Sequence, residues 1–313
     1  MKKIYKSKRF WGAIIAVTFL LVSFYDVNLN ELIKTLGRID LKFLLLALFF
    51  EFMIPLAKSL RWKFILDPVK KIPVREIFSL YCLGWMVNVI LPALTGQVAR
   101  SFMLSKKQNL AKASSFASIA LEVVFDGLSL LLLMIVVSYM FAFPSWLIRG
   151  EYTLAISVSL GLAFLYFLTH NQKLFSKLKD KFPHKVTEKI DQISHSFSQG
   201  LQMLKSSKHI VLVTLFSILS WLSQIAVVTF LLLAFDFKIP AWSAVVIIII
   251  NALMMMFPLT PGNIGTFQVA TILGLSFFNV HKTEALSFGL VLHSLDILPY
   301  LFLGSLFLYL RKL

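Results

Sequence analysis

The chain has 313 residues, 58% of them hydrophobic, with a mean hydropathy of +0.82 and a formal net charge of +16. So apolar a composition excludes an ordinary soluble domain, and the single cysteine, Cys82, excludes an internal disulfide or a Cys-rich metal site. The positive charge does not point to nucleic acid, because the basic residues sit in short stretches between apolar blocks, as they do in cytoplasmic loops.

In chain order, the basic flank and apolar core of the first 25 residues look like a signal peptide. No small-x-small cleavage pattern follows, so this segment reads as an uncleaved first helix. Long apolar segments lie near 10–25, 41–60, 113–142, 151–169, 209–235 and 284–310, several reaching the ~18–20 residues that cross the hydrocarbon core. Two more, 74–104 and 241–279, are apolar but interrupted by Pro and Gly. Of the 31 Lys and Arg, 25 fall before the first segment, between 58 and 75, between 100 and 112, between 173 and 208, and at the C-terminus. That asymmetry satisfies the positive-inside rule only if each broken segment enters and leaves on one side. The fold class read from this is an all-α polytopic membrane protein, with six spanning helices and two re-entrant helical hairpins, both termini cytoplasmic. Two Pro/Gly-kinked spanning helices are the alternative, at the cost of placing Arg100, Lys106 and Lys107 outside.

The link 170–208 carries Leu174, Leu178, Phe182, Val186, Ile190, Ile193, Phe197, Leu201 and Leu204 as one helical stripe among eight lysines. It reads as an interfacial helix on anionic headgroups, or as a helix packed on the protein's cytoplasmic face. The domains expected are a first repeat 1–169 with a cytoplasm-facing hairpin 74–104, the linker 170–208, and a second repeat 209–313 with an outward-facing hairpin 241–279.

The broken segments resemble each other: Pro92 and Pro261 are 169 apart, as are Gly96 and Gly265, while Asp126 and Asp296 are 170 apart. With the hairpins opening to opposite faces, the chain reads as an inverted repeat of the kind used by transporters. Broken backbone at membrane depth is tolerated where it is buried in protein or lines a wet cavity. The tips, LPALTGQVAR (91–100) and FPLTPGNIGTFQVA (257–270), put glycines where a second half-helix begins. Exposed N–H groups and the helix dipole at such a point suit an anion such as a lipid phosphate. The candidate turns are Pro92 and Gly96, and Pro258, Pro261, Gly262, Asn263 and Gly265; tight turns serving packing alone are the alternative.

Buried charge is the second clue. Glu122 and Asp126 share a helix face at i,i+4, His293 and Asp296 share one at i,i+3, and Glu51 lies mid-helix in the second segment. Ionisable groups at this depth face a pathway or a partner, and Arg61 and Arg100 are the candidate partners. A buried ion pair that merely holds helices together is the rival reading. No metal-ligand spacing, nucleophile elbow, phosphate loop or dinucleotide fingerprint is present, so neither a cofactor nor an enzymatic activity is expected.

The stretch from Leu91 to Asp126, the turn from Pro258 to Gly265 and the whole segment layout resemble the lysylphosphatidylglycerol synthase transmembrane-region family, the flippase part of the bacterial multiple peptide resistance factor. The resemblance implies movement of an anionic or aminoacylated, phosphatidylglycerol-type phospholipid between leaflets of the bacterial cell membrane. Glu51, Gln97, Arg100, Glu122, Asp126, Gln268, His293 and Asp296 would line the polar path, and His293 with Asp296 would couple it to protons. The soluble lysyltransferase domain of the full factor is not expected here, since the chain ends just after its last apolar segment. The family's first tip reads Pro-x-Arg-x-Gly-Glu, where this chain has Leu94 and Gln97; Val123 stands where an Arg follows the acid, Gln268 where a Glu is common, and His293 where an Arg is. Those departures weaken a lysyl-lipid substrate specifically. The competing functions are a membrane subunit serving a separate lysyltransferase or polyprenol-linked glycosyltransferase, and a scaffold that transports nothing.

Overall fold

The computed structural model describes residues 8–91, 95–170, 195–256 and 260–311, and those residues are helices and short connections with no strand. Pro92, Leu94 and Pro258, together with most of the stripe in the 170–208 link, lie outside them.

Helix α1 (Lys8–Phe24) turns at Asp26, whose φ is +58°, into α2 (Leu29–Gly37), and the two axes differ by 85°. Asn28 caps α2 by accepting from the backbone N–H groups of Asn30 and Glu31 at 3.0 and 3.2 Å, which satisfies donors that a helix start otherwise leaves open. There follow α3 (Leu41–Leu66), α4 (Val74–Ile90), α5 (Thr95–Gln108), α6 (Lys112–Ser138) and α7 (Ser145–His170). Beyond a short 3₁₀ turn at Gln202–Lys205 come α8 (Ser207–Ala234), α9 (Ser243–Met255), a second 3₁₀ turn at Pro261–Asn263, α10 (Thr266–Ser276) and α11 (Lys282–Arg311).

Five described helices, α3, α6, α7, α8 and α11, are long and apolar enough to cross a membrane, and the bent α1–α2 pair makes a sixth if it counts as one span. The five overlap the apolar segments 41–60, 113–142, 151–169, 209–235 and 284–310, although α7 begins at Ser145, before the expected 151, and α1 overlaps 10–25. Leu45, Phe49, Leu132, Val136, Ile156, Leu160 and Leu215 are exposed on these helices, as side chains meeting lipid tails should be. In the two broken stretches the helices are short: α5, α9 and α10 have 14, 13 and 11 residues, below the ~17 that span the hydrocarbon core. The order also recurs. The series starting at Leu41, Val74, Thr95 and Lys112 is followed by one starting at Ser207, Ser243, Thr266 and Lys282, with a near-constant offset.

The chain forms two compact units, one from residues 1–55, 82–97 and 220–313, the other from 56–81 and 98–219. In the first, α10 packs against α1, α9 and α11, over a core that includes Ala47, Val228, Ile247, Phe267, Phe288 and Leu295. Lys282, which opens α11, donates to the carbonyls of Val22 and Tyr25 at 3.0 and 2.7 Å, closing the end of α1. A cation there complements the negative end of the helix dipole. In the second unit Ile65, Ala117, Leu121, Leu165, Leu201, Met203 and Val213 make the core, and Phe64 stacks on Phe216 at 5.5 Å.

Candidate functional site

Buried polar side chains gather in both units. In the second, α3 supplies Arg61, α5 supplies Arg100, and α6 supplies Glu122 and Asp126 one turn apart. Arg61 grips Asp126 with both terminal nitrogens, Nη1–Oδ1 at 2.6 Å and Nη2–Oδ2 at 3.0 Å, the fork-to-carboxylate geometry that only a guanidinium offers. Its Nη1 also reaches Ser217 Oγ at 3.4 Å, and its Nη2 stands 3.8 Å from Glu122 Oε1. Arg100 binds Glu122 through Nη2 and lies over the rings of Trp62 and Tyr81 at 4.3 and 5.0 Å, where cation–π attraction adds to the pairing. Further hydrogen bonds steady the surround: Trp62 Nε1 donates to Ser118 Oγ, Ser118 Oγ to the Ser115 carbonyl, and Ser115 Oγ to the Ser101 carbonyl. The side chains of Arg61, Arg100 and Glu122 are 1–6% exposed, whereas that of Asp126 is 35% exposed. The pairing expected from charge and helical spacing is therefore present, and the quartet is electrically balanced. Val123, beside Glu122, points outward at 56% exposure.

In the first unit, a chain of hydrogen bonds runs from the α10 turn to α11. The Gly265 N–H donates to Gln268 Oε1 (2.8 Å), so the amide's other end, Nε2, faces His293 Nδ1 (2.9 Å) as a donor. Nδ1 must then accept, and His293 Nε2 carries the hydrogen that goes to the Gly262 carbonyl at 2.9 Å. The imidazole is thus neutral, with its tautomer set by its neighbours, and Phe267 stacks on it at 4.5 Å. Both ring nitrogens are thus engaged, one by Gln268 and the other by the Gly262 carbonyl. Asp296 lines a cavity of about 50 Å³ together with Glu51, Gln224 and Asn251, against the apolar walls of Ile247 and Leu292. That volume admits water but not a lipid headgroup. Asn251 is anchored to the Ile247 carbonyl and to Thr271. Asn251 and Gln224 were not singled out in the sequence; the available signal was a lone carboxamide in an otherwise apolar run.

The glycines of the broken segments are held closely. A Cβ on Gly96 would come within 1.9 Å of the Gly84 carbonyl, and one on Gly265 (φ +84°) within 2.8 Å of the Ala16 carbonyl and Phe19 Cβ. Gly262 (φ +56°) lies against the Val89 carbonyl, beside Asn263 at φ +57°. The Gly96 N–H donates to Asn88 Oδ1 at 2.7 Å. Both half-helix glycines thus already have carboxamide acceptors, and an anion would have to displace them. Gln97, in the first turn of α5, is half-buried, and Pro261 opens the 3₁₀ turn.

These features define a class: a multi-pass helical membrane protein with charged side chains buried between its helices. More narrowly, the chain belongs to the lysylphosphatidylglycerol synthase TM region family, whose model matches residues 9–304. It is similar to a UPF0104 membrane protein of Methanocaldococcus jannaschii, 24% identical over 304 residues, covering 91% of this chain and 89% of that one. It is also similar to one of Pyrococcus horikoshii, 23% identical over 338 residues and covering 98% of each, and to one of Methanothermobacter thermautotrophicus, 21% identical over 287 residues and covering 85% of each. No solved structure matches the chain.

Proposed function

We propose that this protein is a lipid transporter of the cell membrane that moves an anionic or aminoacylated phospholipid between leaflets, without itself carrying out lysyl transfer. The observation that carries this reading is the buried quartet Arg61, Arg100, Glu122 and Asp126, three of whose members sit on α3 and α6, helices long and apolar enough to cross a membrane, with only Asp126 substantially exposed. Charge at that depth is costly and is kept mainly where something polar must pass or bind. The short helices α5, α9 and α10 in the two broken stretches support a re-entrant inverted repeat, 1–169 and 209–313 about the linker 170–208, and the distribution of Lys and Arg supports cytoplasmic termini.

The polar path falls into two stations. One is the quartet; the other comprises Glu51, Gln268, His293 and Asp296 with the turn at Gly262–Gly265, and Gln97 stands near the first broken tip. Charging His293 turns Nδ1 from an acceptor into a donor facing the Gln268 NH₂, which opens the latch and couples lipid movement to protons.

The test is reconstitution in liposomes with labelled phosphatidylglycerol, its lysyl form and a polyprenyl phosphate. The expected result is faster crossing of at least one; crossing no faster than in empty vesicles for all three refutes transport. A rate that is flat in pH and unchanged by His293→Asn refutes the proton coupling alone.

A further inference from the structure

We infer that Arg61 is a binding site for the oxyanion of a lipid phosphodiester, closed at rest by Asp126, which the phosphate displaces. The inference rests on the lipid-transport reading and names the residue that receives the headgroup. Three observations carry it.

The first is a surplus of donors. Two guanidiniums bring ten N–H groups into a buried site, and the buried Nε atoms of both Arg61 and Arg100 have no hydrogen-bond partner among the described residues. Unpaired buried donors are costly, and two carboxylates bound mainly through the terminal nitrogens do not satisfy them. A tetrahedral oxyanion offers acceptor positions in more directions than a planar carboxylate does.

The second is charge. Without Asp126, the buried trio of Arg61, Arg100 and Glu122 carries one net positive charge, which matches the single negative charge of a phosphodiester. Glu122 does not cancel it, because Arg100 already engages this carboxylate and its Oε1 reaches Arg61 only at 3.8 Å, without a hydrogen bond.

The third is access and shape. Asp126 is the only member of the quartet with an exposed face, so Arg61 is reached past it. The two bonds it would give up, at 2.6 and 3.0 Å, form the same fork that a guanidinium makes with two phosphate oxygens. Ser217 Oγ, at 3.4 Å from Nη1 and donating its own hydrogen to the Val213 carbonyl, helps hold the guanidinium in place as the partner changes. One carboxylate thus acts as a resident substitute for the ligand, keeping Arg61 neutralised between transport events.

The experiment measures retention of headgroup-labelled phosphatidylglycerol by the purified full chain in neutral detergent, with inorganic phosphate as a competing probe. Asp126→Asn keeps the shape and removes the competing charge; it should raise retention about tenfold, equivalent to about 1.4 kcal/mol, and slow lipid movement in vesicles. Arg61→Gln added to Asp126→Asn should return retention to the wild-type level or below. Arg61→Lys keeps the charge but loses the fork, and by itself should lower retention; it decides the matter if Asp126→Asn does not fold. Inorganic phosphate should compete with the lipid in the Asp126→Asn protein. Unchanged retention in both Asp126→Asn and Arg61→Lys, with a lowered unfolding temperature in the first, overturns the inference in favour of a purely structural ion pair. Binding of inorganic phosphate without binding of the lipid overturns the lipid assignment. Because retention is read without vesicles, a site that binds as expected in a protein that moves no lipid sinks transport and leaves the site standing.

Discussion

Replacing Gln268 with Leu tests the latch between the α10 turn and α11. The residue is 3% exposed and its side-chain amide serves two partners, accepting from the Gly265 N–H and donating to His293 Nδ1. Leucine fills nearly the same volume, so little cavity forms, but two buried polar groups lose their partners. Each such loss costs about 1–3 kcal/mol, so the variant should lose about 2–6 kcal/mol. His293→Leu breaks the shared bond from the other side and also frees the Gly262 carbonyl, with a similar cost. Since one bond is common to both variants, the double variant should cost less than the sum of the two by about 1 kcal/mol or more. Thermal unfolding in detergent, followed by tryptophan fluorescence and circular dichroism on all four proteins, provides the cycle. A Gln268→Leu protein within about 0.5 kcal/mol of wild type, or strict additivity in the double variant, would refute both the assigned tautomer and the latch.

Other expectations can be checked on the same preparations. Gly96→Ala and Gly265→Ala should each destabilise by about 2 kcal/mol or more, because the new methyl meets backbone and, at Gly265, also an unfavourable φ; Gly161→Ala, whose Cβ would sit 3.5 Å from Val124, should be near neutral by the same assay. Glu122→Gln should cost about 3–5 kcal/mol, since it leaves two buried guanidiniums facing one carboxylate, and a neutral result in chemical unfolding would mean that water reaches the quartet. Asp296→Asn should slow lipid movement in vesicles while leaving the unfolding temperature close to wild type; lowered stability with unchanged movement would favour a scaffold.

Much of the fold was legible because span length and loop charge are local properties. The runs at 41–60, 209–235 and 284–310 announce α3, α8 and α11 by apolar length alone, and Gly96 and Gly265 mark where the helices α5 and α10 begin. The 85° bend after α1 was not, because the apolar run continues to Tyr25 and the turn depends on the left-handed conformation of Asp26. Likewise at the sites, Glu122 and Asp126 stood out as acids in an apolar helix, with Arg61 and Arg100 as candidate partners. The Gln268–His293–Gly262 chain joins residues 25 and 31 positions apart on different elements, which no helical periodicity encodes. The acceptor of the Gly96 N–H, Asn88, lies eight residues back on another helix, so the sequence showed a free donor where the fold had already paired it.

The tie between Lys282 and the end of α1 bears on how the molecule is made. The carbonyls of Val22 and Tyr25 wait for an ammonium group 260 and 257 residues downstream. At about 5–20 residues per second, the end of α1 is made about 13–52 s before its closing partner. Its neighbour α10, packed through Gly265 onto Ala16 and Phe19, arrives almost as late. Helix α1 is therefore made long before the residues that hold its end, and chains cut short before residue 282 should leave α1 open to quality-control proteases.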